Sequence, residues 1–354
     1  MAISPQSAAQ PGAVRDHGFH QLRVERVVRE TPDASSFVLD VPPEPRNAYE
    51  YEAGQFLTFR VWIDGHPLLR CYSMSSSPDV DSELKVTVKR VPGGVVSNWM
   101  NDELTPGDLV EATLPAGVFR LGEDDRDVVA FSGGSGITPV LSIVKTALAT
   151  TTRRVRLLYA NRDRDAVIFA DELGALVERH PGRLQVVHHL DVDQGFVDHD
   201  AVRAFVSDPA AAEYYICGPG PSMDIVERTL LGHDVDGSRI HIERFTPPEQ
   251  ITEPEPAVDV PTATQVTVEL DGRVATTDHR PGTTILQVAR ELGMSPPFSC
   301  ESGSCATCMA KLVEGSVSMF TNNALTDDEI AEGWVLTCQS VPATPAVRVV
   351  YGDE

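Results

Sequence analysis

The chain has 354 residues, 42% hydrophobic and 23% charged, enough for two or three domains with sizeable cores and too apolar for disorder throughout. Its 52 acidic side chains against 29 basic ones leave a formal net charge of -23, which repels a phosphate backbone and excludes nucleic acid as an expected partner. No run approaches the ~20 apolar residues of a membrane span, and MAISPQSAAQPGAVR lacks the apolar core of a secretory signal, so a monomeric cytoplasmic protein away from membranes is expected.

Residues 1–16, rich in Ala, Gln, Ser and Pro, predict a flexible arm. Residues 17–122 read as short strands broken by turns, an antiparallel sandwich or barrel. Leu84, Val86 and Val88 alternate with Lys85, Thr87 and Lys89, and the stretches 56–63, 68–73 and 109–114 look similar. Over 123–246 the grammar changes to apolar runs (128–131, 155–159, 184–190, 214–217, 240–245) separated by helical spacing (139–150, 169–179, 201–206, 223–231). That alternation writes a parallel α/β sheet. Residues 247–263 carry Pro247, Pro248, Pro254, Pro256 and Pro261 with acids and no base, a stiff solvated linker. A third unit, 264–354, opens with a hairpin turning at Asp271-Gly272. It continues with a helix over 285–292, a capping box at Thr326 and a closing strand over 347–351.

Cysteine placement carries the chemistry. Cys71 and Cys217 are isolated, whereas Cys300, Cys305 and Cys308 form a C-x4-C-x2-C run with Cys338 further on. Without a secretory signal a metal or cluster outranks a disulfide framework. Gly303 and small neighbours suit a loop wrapped around iron and sulfide, and the spacing is that of a plant-type 2Fe–2S site. A four-thiolate zinc site is the alternative, although it usually uses C-x2-C on both sides.

Such a cluster takes one electron while cellular reductants deliver hydride, so a flavin is expected upstream. Arg70, Tyr72 and Ser73 end a predicted strand, offering a phosphate charge, a flat contact and a hydrogen bond to a ring nitrogen. The turn Pro92–Trp99 opens a helix at Gly94, Val96 and Ser97, whose free N–H groups suit a pyrophosphate. Pro115-Ala116-Gly117-Val118-Phe119 closes the unit. Gly133, Gly134, Gly136, Thr138 and Pro139 form a second strand–turn–helix, and Cys217, Gly218 and Pro219 a third. Each is by itself an ordinary turn, and Cys217 by itself a core residue.

In this order the segments resemble the ferredoxin–NADP reductase superfamily over 17–246 and a plant-type ferredoxin over 264–354. Together they are similar to the reductase components of bacterial multicomponent oxygenases. The resemblance implies a multidomain protein with an antiparallel β-barrel, a parallel α/β unit and a β-grasp ferredoxin. It implies FAD held by Arg70, Tyr72, Ser73, Gly94, Val96, Ser97 and Gly117, with Gly117 more typical of FAD than FMN members. On the same resemblance Ser73 is expected near flavin N5, Cys217 beside the nicotinamide, and Phe245 either against the flavin face or in the core. Cys300, Cys305, Cys308 and Cys338 are the expected cluster ligands. Glu301 stands where many relatives have a basic residue, which should lower the cluster potential or alter the docking face. NADH is the expected reductant, because Asp163 and Asp165 oppose the charge with which Arg162 could pair the 2′-phosphate of NADPH.

The segments RCYSMSSSP, VKRVPGGVVSNW and YANRDRDAVIF are similar to reductases of 3-ketosteroid 9α-hydroxylases. That implies a Rieske-type terminal oxygenase as partner and steroid degradation as setting. The reductase of phenylacetyl-CoA epoxidase shares the architecture, and a redox-sensing module is a rival from another class. His188, His189, Asp191 and Asp193 read as a solvated strand end rather than a metal site, and Trp62, Trp99 and Trp334 as core or rim packing.

Overall fold

A computed structural model describes residues 2–3, 19–44, 46–206, 211–245, 265–294, 296–298, 303, 306–322 and 324–352. The linker expected over 247–263, and Cys300, Glu301 and Cys305, lie outside the described residues. Of the arm expected over 1–16, only Ala2–Ile3 (β1) is described, a short strand pairing antiparallel with Val317 and Ser318, and the rest of it lies outside the described residues. The backbone of β1 finds partners on an open strand edge instead of in water.

The first unit is antiparallel. Strands β2 (His20–Thr31), β3 (Ala34–Asp40), β4 (Phe56–Ile63), β5 (His66–Ser73), β6 (Leu84–Lys89) and β7 (Leu109–Ala112) take the order β5-β4-β7-β2-β3-β6. An antiparallel bridge from Met74 to Val86 brings the two edge strands together, so the sheet curls into a barrel. Asp64 and Gly65 turn β4 into β5 with φ of 52° and 78°, the paired positive angles of a tight hairpin turn. Alternation on β6 holds for Leu84, Val86 and Val88 but not for Thr87, which is buried. The Thr87 hydroxyl sits 2.7 Å from both Ser36 and Ser75, whose polar cover hides the outer face. Helix α1 (Val95–Glu103) inserts Val96 and Met100 into the barrel core, each burial stabilising by about 1.5–3 kcal/mol.

The second unit has β8 (Asp127–Gly133), α2 (Ile137–Thr150), β9 (Val155–Asn161), α3 (Ala170–Arg179), β10 (Leu184–Leu190), α4 (Asp191–Gln194), α5 (His199–Phe205), β11 (Ala212–Cys217), α6 (Gly220–Leu231) and β12 (Ile240–Glu243). All five strands are parallel, in the order β10-β9-β8-β11-β12. One face packs on α2 and α3, the other on α5 and α6. Their near-continuous apolar runs follow from cover on both sides.

The two units share an interior. Ala34, Ala53 and Phe119 of the barrel pack in one apolar cluster with Ile137, Val140 and Tyr159. Lys145 of α2 is 5% exposed and lies 2.6 Å from both Asp81 of the barrel and Glu172 of α3. Ser142 donates to the Ser76 carbonyl at 2.6 Å.

The third unit contains β13 (Gln265–Leu270), β14 (Arg273–Asp278), α7 (Ile285–Glu291), β15 (Met309–Glu314), β16 (Val317–Met319), α8 (Asp327–Ala331), β17 (Trp334–Leu336), β18 (Ser340–Pro342) and β19 (Ala346–Val350). A mixed sheet runs β14-β13-β19-β15-β17, and β1 extends the antiparallel pair of β16 and β18. Thr284 with Gln287 and Thr326 with Glu329 form the capping boxes that start α7 and α8. No helix among the described residues is long and apolar enough to cross a membrane.

Candidate functional site

Strand pairing gathers the first cluster of expected residues. Phe56 pairs with Ser73 on one side and bridges to Ala116 on the other, which brings the end of β5 close to the turn at Gly117. Gly117 has φ of +116°, and a Cβ there would lie 2.8 Å from the Phe56 ring, so only glycine fits. Tyr72 leans on Phe59 with ring centroids 5.8 Å apart, and burial pushes its phenol pKa upward. The Ser73 hydroxyl is buried with no hydrogen-bond partner among the described residues. A buried orphan of this kind calls for a group from outside the chain. Past β6, Gly94 begins α1 with no side-chain cap, leaving the amides at 95–97 open, and a Cβ on Gly94 would meet Ser97 Oγ at 2.8 Å. Ser97 Oγ itself accepts from Val91 N–H at 3.1 Å. These features fit a flavin dinucleotide.

The nucleotide turns leave neighbouring strands at the same edge. Ser132 of β8 is level with Cys217 of β11, where the strand order reverses direction, the usual place for a ligand on an open parallel sheet. The turns interlock. A Cβ on Gly136 would lie 2.0 Å from the Cys217 carbonyl oxygen, one on Gly133 2.6 Å from Pro219, and one on Gly218 2.9 Å from Gly133 N. Tyr159 donates to the Gly134 carbonyl at 3.0 Å and Thr138 to the Ser135 carbonyl at 3.0 Å. Pro139 sits in the first turn of α2, which has no side-chain cap, and α6 after Pro219 has none either. The buried Ser132 hydroxyl is another orphan. Open amides, glycines without room for a methyl and an unpaired hydroxyl fit a dinucleotide phosphate.

Cys217 is 1% exposed, and burial, followed by the charge of its strand neighbour Glu243, holds its thiol pKa well above the ordinary value. It is therefore a neutral thiol, not a thiolate. Phe245 is 41% exposed, which overturns its reading as a core residue. The preceding Arg244 is pinned at 2.8 Å by both Asp224 and Glu227 of α6, fixing where the phenyl ring emerges. Arg162 is engaged by Asp163 at 2.7 Å.

In the third unit Cys308 and Cys338 are both buried and not disulfide-bonded. Thr337 ties their loops together, donating from its hydroxyl to the Cys308 carbonyl at 2.7 Å and accepting from Tyr351 OH at 2.8 Å. Burial raises the Tyr351 pKa, and nearness to Cys308 and Cys338 adds to the rise. Gly303 has φ of +76°, and a Cβ there would lie 2.7 Å from the Thr321 carbonyl oxygen, so the loop wraps tightly. Soft sulfur donors in a tight glycine-bearing loop fit an iron–sulfur cluster.

Sequence patterns miss some of the residues at these sites. Lys89 brings its ammonium beside the Gly134 turn. Thr307, next to Cys308, has its hydroxyl 3.3 Å from that of Thr58, which in turn lies 3.3 Å from Cys71 Sγ. Gln339 lies against Cys338. Gln339 and Thr307 are marked by position, each adjacent to a cysteine of the set, whereas Lys89 is not. His189, expected in solvent, is buried and bonded to the Gly195 carbonyl at 2.8 Å, whereas His188 and Asp193 are exposed. Trp334 is buried, Trp99 half-buried, and Trp62 at 58% exposure lies outside the core.

Comparison with known proteins agrees with this geometry. Residues 21–121 match the oxidoreductase FAD-binding domain, 131–228 the oxidoreductase NAD-binding domain, and 268–343 the 2Fe-2S iron-sulfur cluster binding domain. The ferredoxin reductase component of 3-ketosteroid-9-alpha-monooxygenase from Rhodococcus rhodochrous is 40% identical over 93% of this chain and 96% of its own. A component of the 1,2-phenylacetyl-CoA epoxidase of Escherichia coli is 35% identical over 94% of this chain and 98% of its own. Phthalate dioxygenase reductase superposes with a TM-score of 0.60 at 28% identity, covering 94% of this chain and 98% of that one. The chain thus belongs to the family of oxygenase reductase components, oxidoreductases that join FAD-binding, NAD-binding and 2Fe–2S domains in one polypeptide.

Proposed function

We propose that the chain takes electrons from NADH and delivers them singly to a Rieske-type terminal oxygenase, the 3-ketosteroid 9α-hydroxylase of steroid degradation, acting as a cytoplasmic monomer. When bound, FAD supplies the conversion of a hydride pair into single electrons and the 2Fe–2S cluster supplies their one-at-a-time carriage. The chain's own work is holding and shielding. Arg70 offers charge to a flavin phosphate, Tyr72 a flat contact, and the orphan hydroxyl of Ser73 a hydrogen bond at flavin N5. Open amides at Val96 and Ser97 take the pyrophosphate; Gly94, whose own N–H is bonded to the Val91 carbonyl at 2.8 Å rather than free, leaves room beside it, as does Gly117. The interlocked turns of Gly133, Gly134, Gly136, Thr138, Pro139, Gly218 and Pro219 receive the nicotinamide dinucleotide. Cys217 stands neutral beside the nicotinamide, and Phe245 covers the flavin ring until nicotinamide displaces it. Cys300, Cys305, Cys308 and Cys338 ligate the iron.

The observation that carries this reading is the contact of Thr307 with Thr58. It puts the loop of Cys308 against the strand pair that ends in Arg70, Tyr72 and Ser73, as a short path from flavin to cluster requires. NADH is favoured over NADPH because Asp163 already engages the Arg162 guanidinium. Thiols outside any disulfide at Cys71, Cys217, Cys308 and Cys338 suit the reducing cytoplasm.

Reconstitution with purified oxygenases, following substrate-dependent NADH consumption, tests the proposal. A steroid-hydroxylating oxygenase is expected to respond. Response only with the phenylacetyl-CoA enzyme would move the assignment there, and failure to reduce any artificial acceptor with NADH would point to a redox sensor.

A further inference from the structure

Gln339 follows the last cysteine of the set, and its side chain turns back on it. Nε2 lies 3.2 Å from the Cys338 carbonyl oxygen and 3.7 Å from Cys338 Sγ, a donor shared between oxygen and sulfur. Both residues are buried, at 7% and 6% exposure. The backbone of Gln339 is fixed as well, its N–H donating to the Leu336 carbonyl and its carbonyl accepting from Phe320 N–H, each at 2.9 Å. Its Cγ fills the space beside Gly303, where a Cβ would come within 3.0 Å of it. The amide is therefore held under the cluster loop, out of water, and a buried amide keeps its hydrogens paired. A neutral thiol accepts such a bond weakly, whereas an ionised sulfur accepts it strongly.

We propose that the Gln339 side-chain amide is a donor to the Cys338 sulfur that raises the reduction potential of the 2Fe–2S cluster. The inference rests on the reading of Cys338 as a cluster ligand. Adding an electron puts more negative charge on the ligand sulfurs, so a fixed donor stabilises the reduced cluster more than the oxidised one. The donor opposes the effect expected of Glu301, the acid that follows the first cysteine.

The test is a redox titration of the full-length holoprotein, monitored by the electron paramagnetic resonance of the reduced cluster, alongside iron and sulfide analysis. Gln339→Leu removes the donor at similar volume, and Gln339→Glu keeps the shape while replacing the donor with an acceptor. Full iron content with a midpoint shifted to more negative potential in Gln339→Leu, and an equal or larger shift in Gln339→Glu, is the expected result. An unchanged midpoint in a fully loaded Gln339→Leu protein overturns the proposal. If Gln339→Leu loses iron, Gln339→Glu decides by the same criterion. Iron loss in both assigns the side chain to holding the loop and also overturns tuning. A parent protein lacking a 2Fe–2S signal would refute the ligand reading itself and the inference with it.

Discussion

The hydroxyls of Thr58 and Thr307 lie 3.3 Å apart although 249 positions separate them in the chain. One belongs to the strand paired with Arg70 and Tyr72, the other to the residue before Cys308. If electrons cross here, Thr58→Arg wedges the surfaces apart and slows cluster reduction severalfold, while NADH reduces the flavin at the parental rate. Stopped-flow absorbance resolves the steps, and Thr58→Ser serves as control. Equal loss in both steps would show that the contact is not the route.

Gly136→Ala forces a methyl against the Cys217 carbonyl oxygen, with 2.0 Å available. Overpacking of this kind costs about 1–3 kcal/mol, and the displaced turn weakens NADH binding. Gly220 begins α6 with open space around it, so Gly220→Ala stabilises by about 0.4–1 kcal/mol. Thermal unfolding of the pair, with a titration of NAD, separates steric from general effects of adding a methyl.

Lys145→Met leaves Asp81 and Glu172 facing one another without the cation that bonds both. Losing hydrogen bonds to charged groups costs about 1.5–3 kcal/mol, toward the lower end here because both carboxylates reach solvent. A lowered unfolding midpoint that high salt partly restores is the expected outcome.

Cys217→Ala slows flavin reduction by NADH and leaves iron content intact. The raised thiol pKa adds a pH signature. Below the unfolded thiol value of about 8.5 its contribution to stability is fully present. It is lost as pH climbs from there through the higher folded value, because the unfolded chain releases a proton that the folded chain keeps. The parent should therefore lose stability in alkali faster than Cys217→Ala, measured as denaturation midpoints across that range.

Periodicity and turn chemistry made much of the fold legible. The apolar runs of the second unit mark its parallel strands, and Thr326 with Glu329 announces α8. The strands β15 to β18 are short and mix polar with apolar residues under long-range pairing, so no local period reveals them. Within the site, glycine turns and cysteine spacing are written locally and could be read. The burial of His189, the exposure of Phe245 and the meeting of Thr58 with Thr307 depend on packing between distant segments, which no spacing along the chain encodes.

Barrel and nucleotide unit hold a common apolar seam through Phe119, Ala34 and Ala53, whereas Val266, Leu286, Leu312, Val335 and Val349 seal the C-terminal unit's own interior. Calorimetry should accordingly record a joint transition for the first pair and a separate one for the third. A carrier with a self-contained interior can be swapped between lineages without opening that seam, leaving it free to evolve with each new electron acceptor.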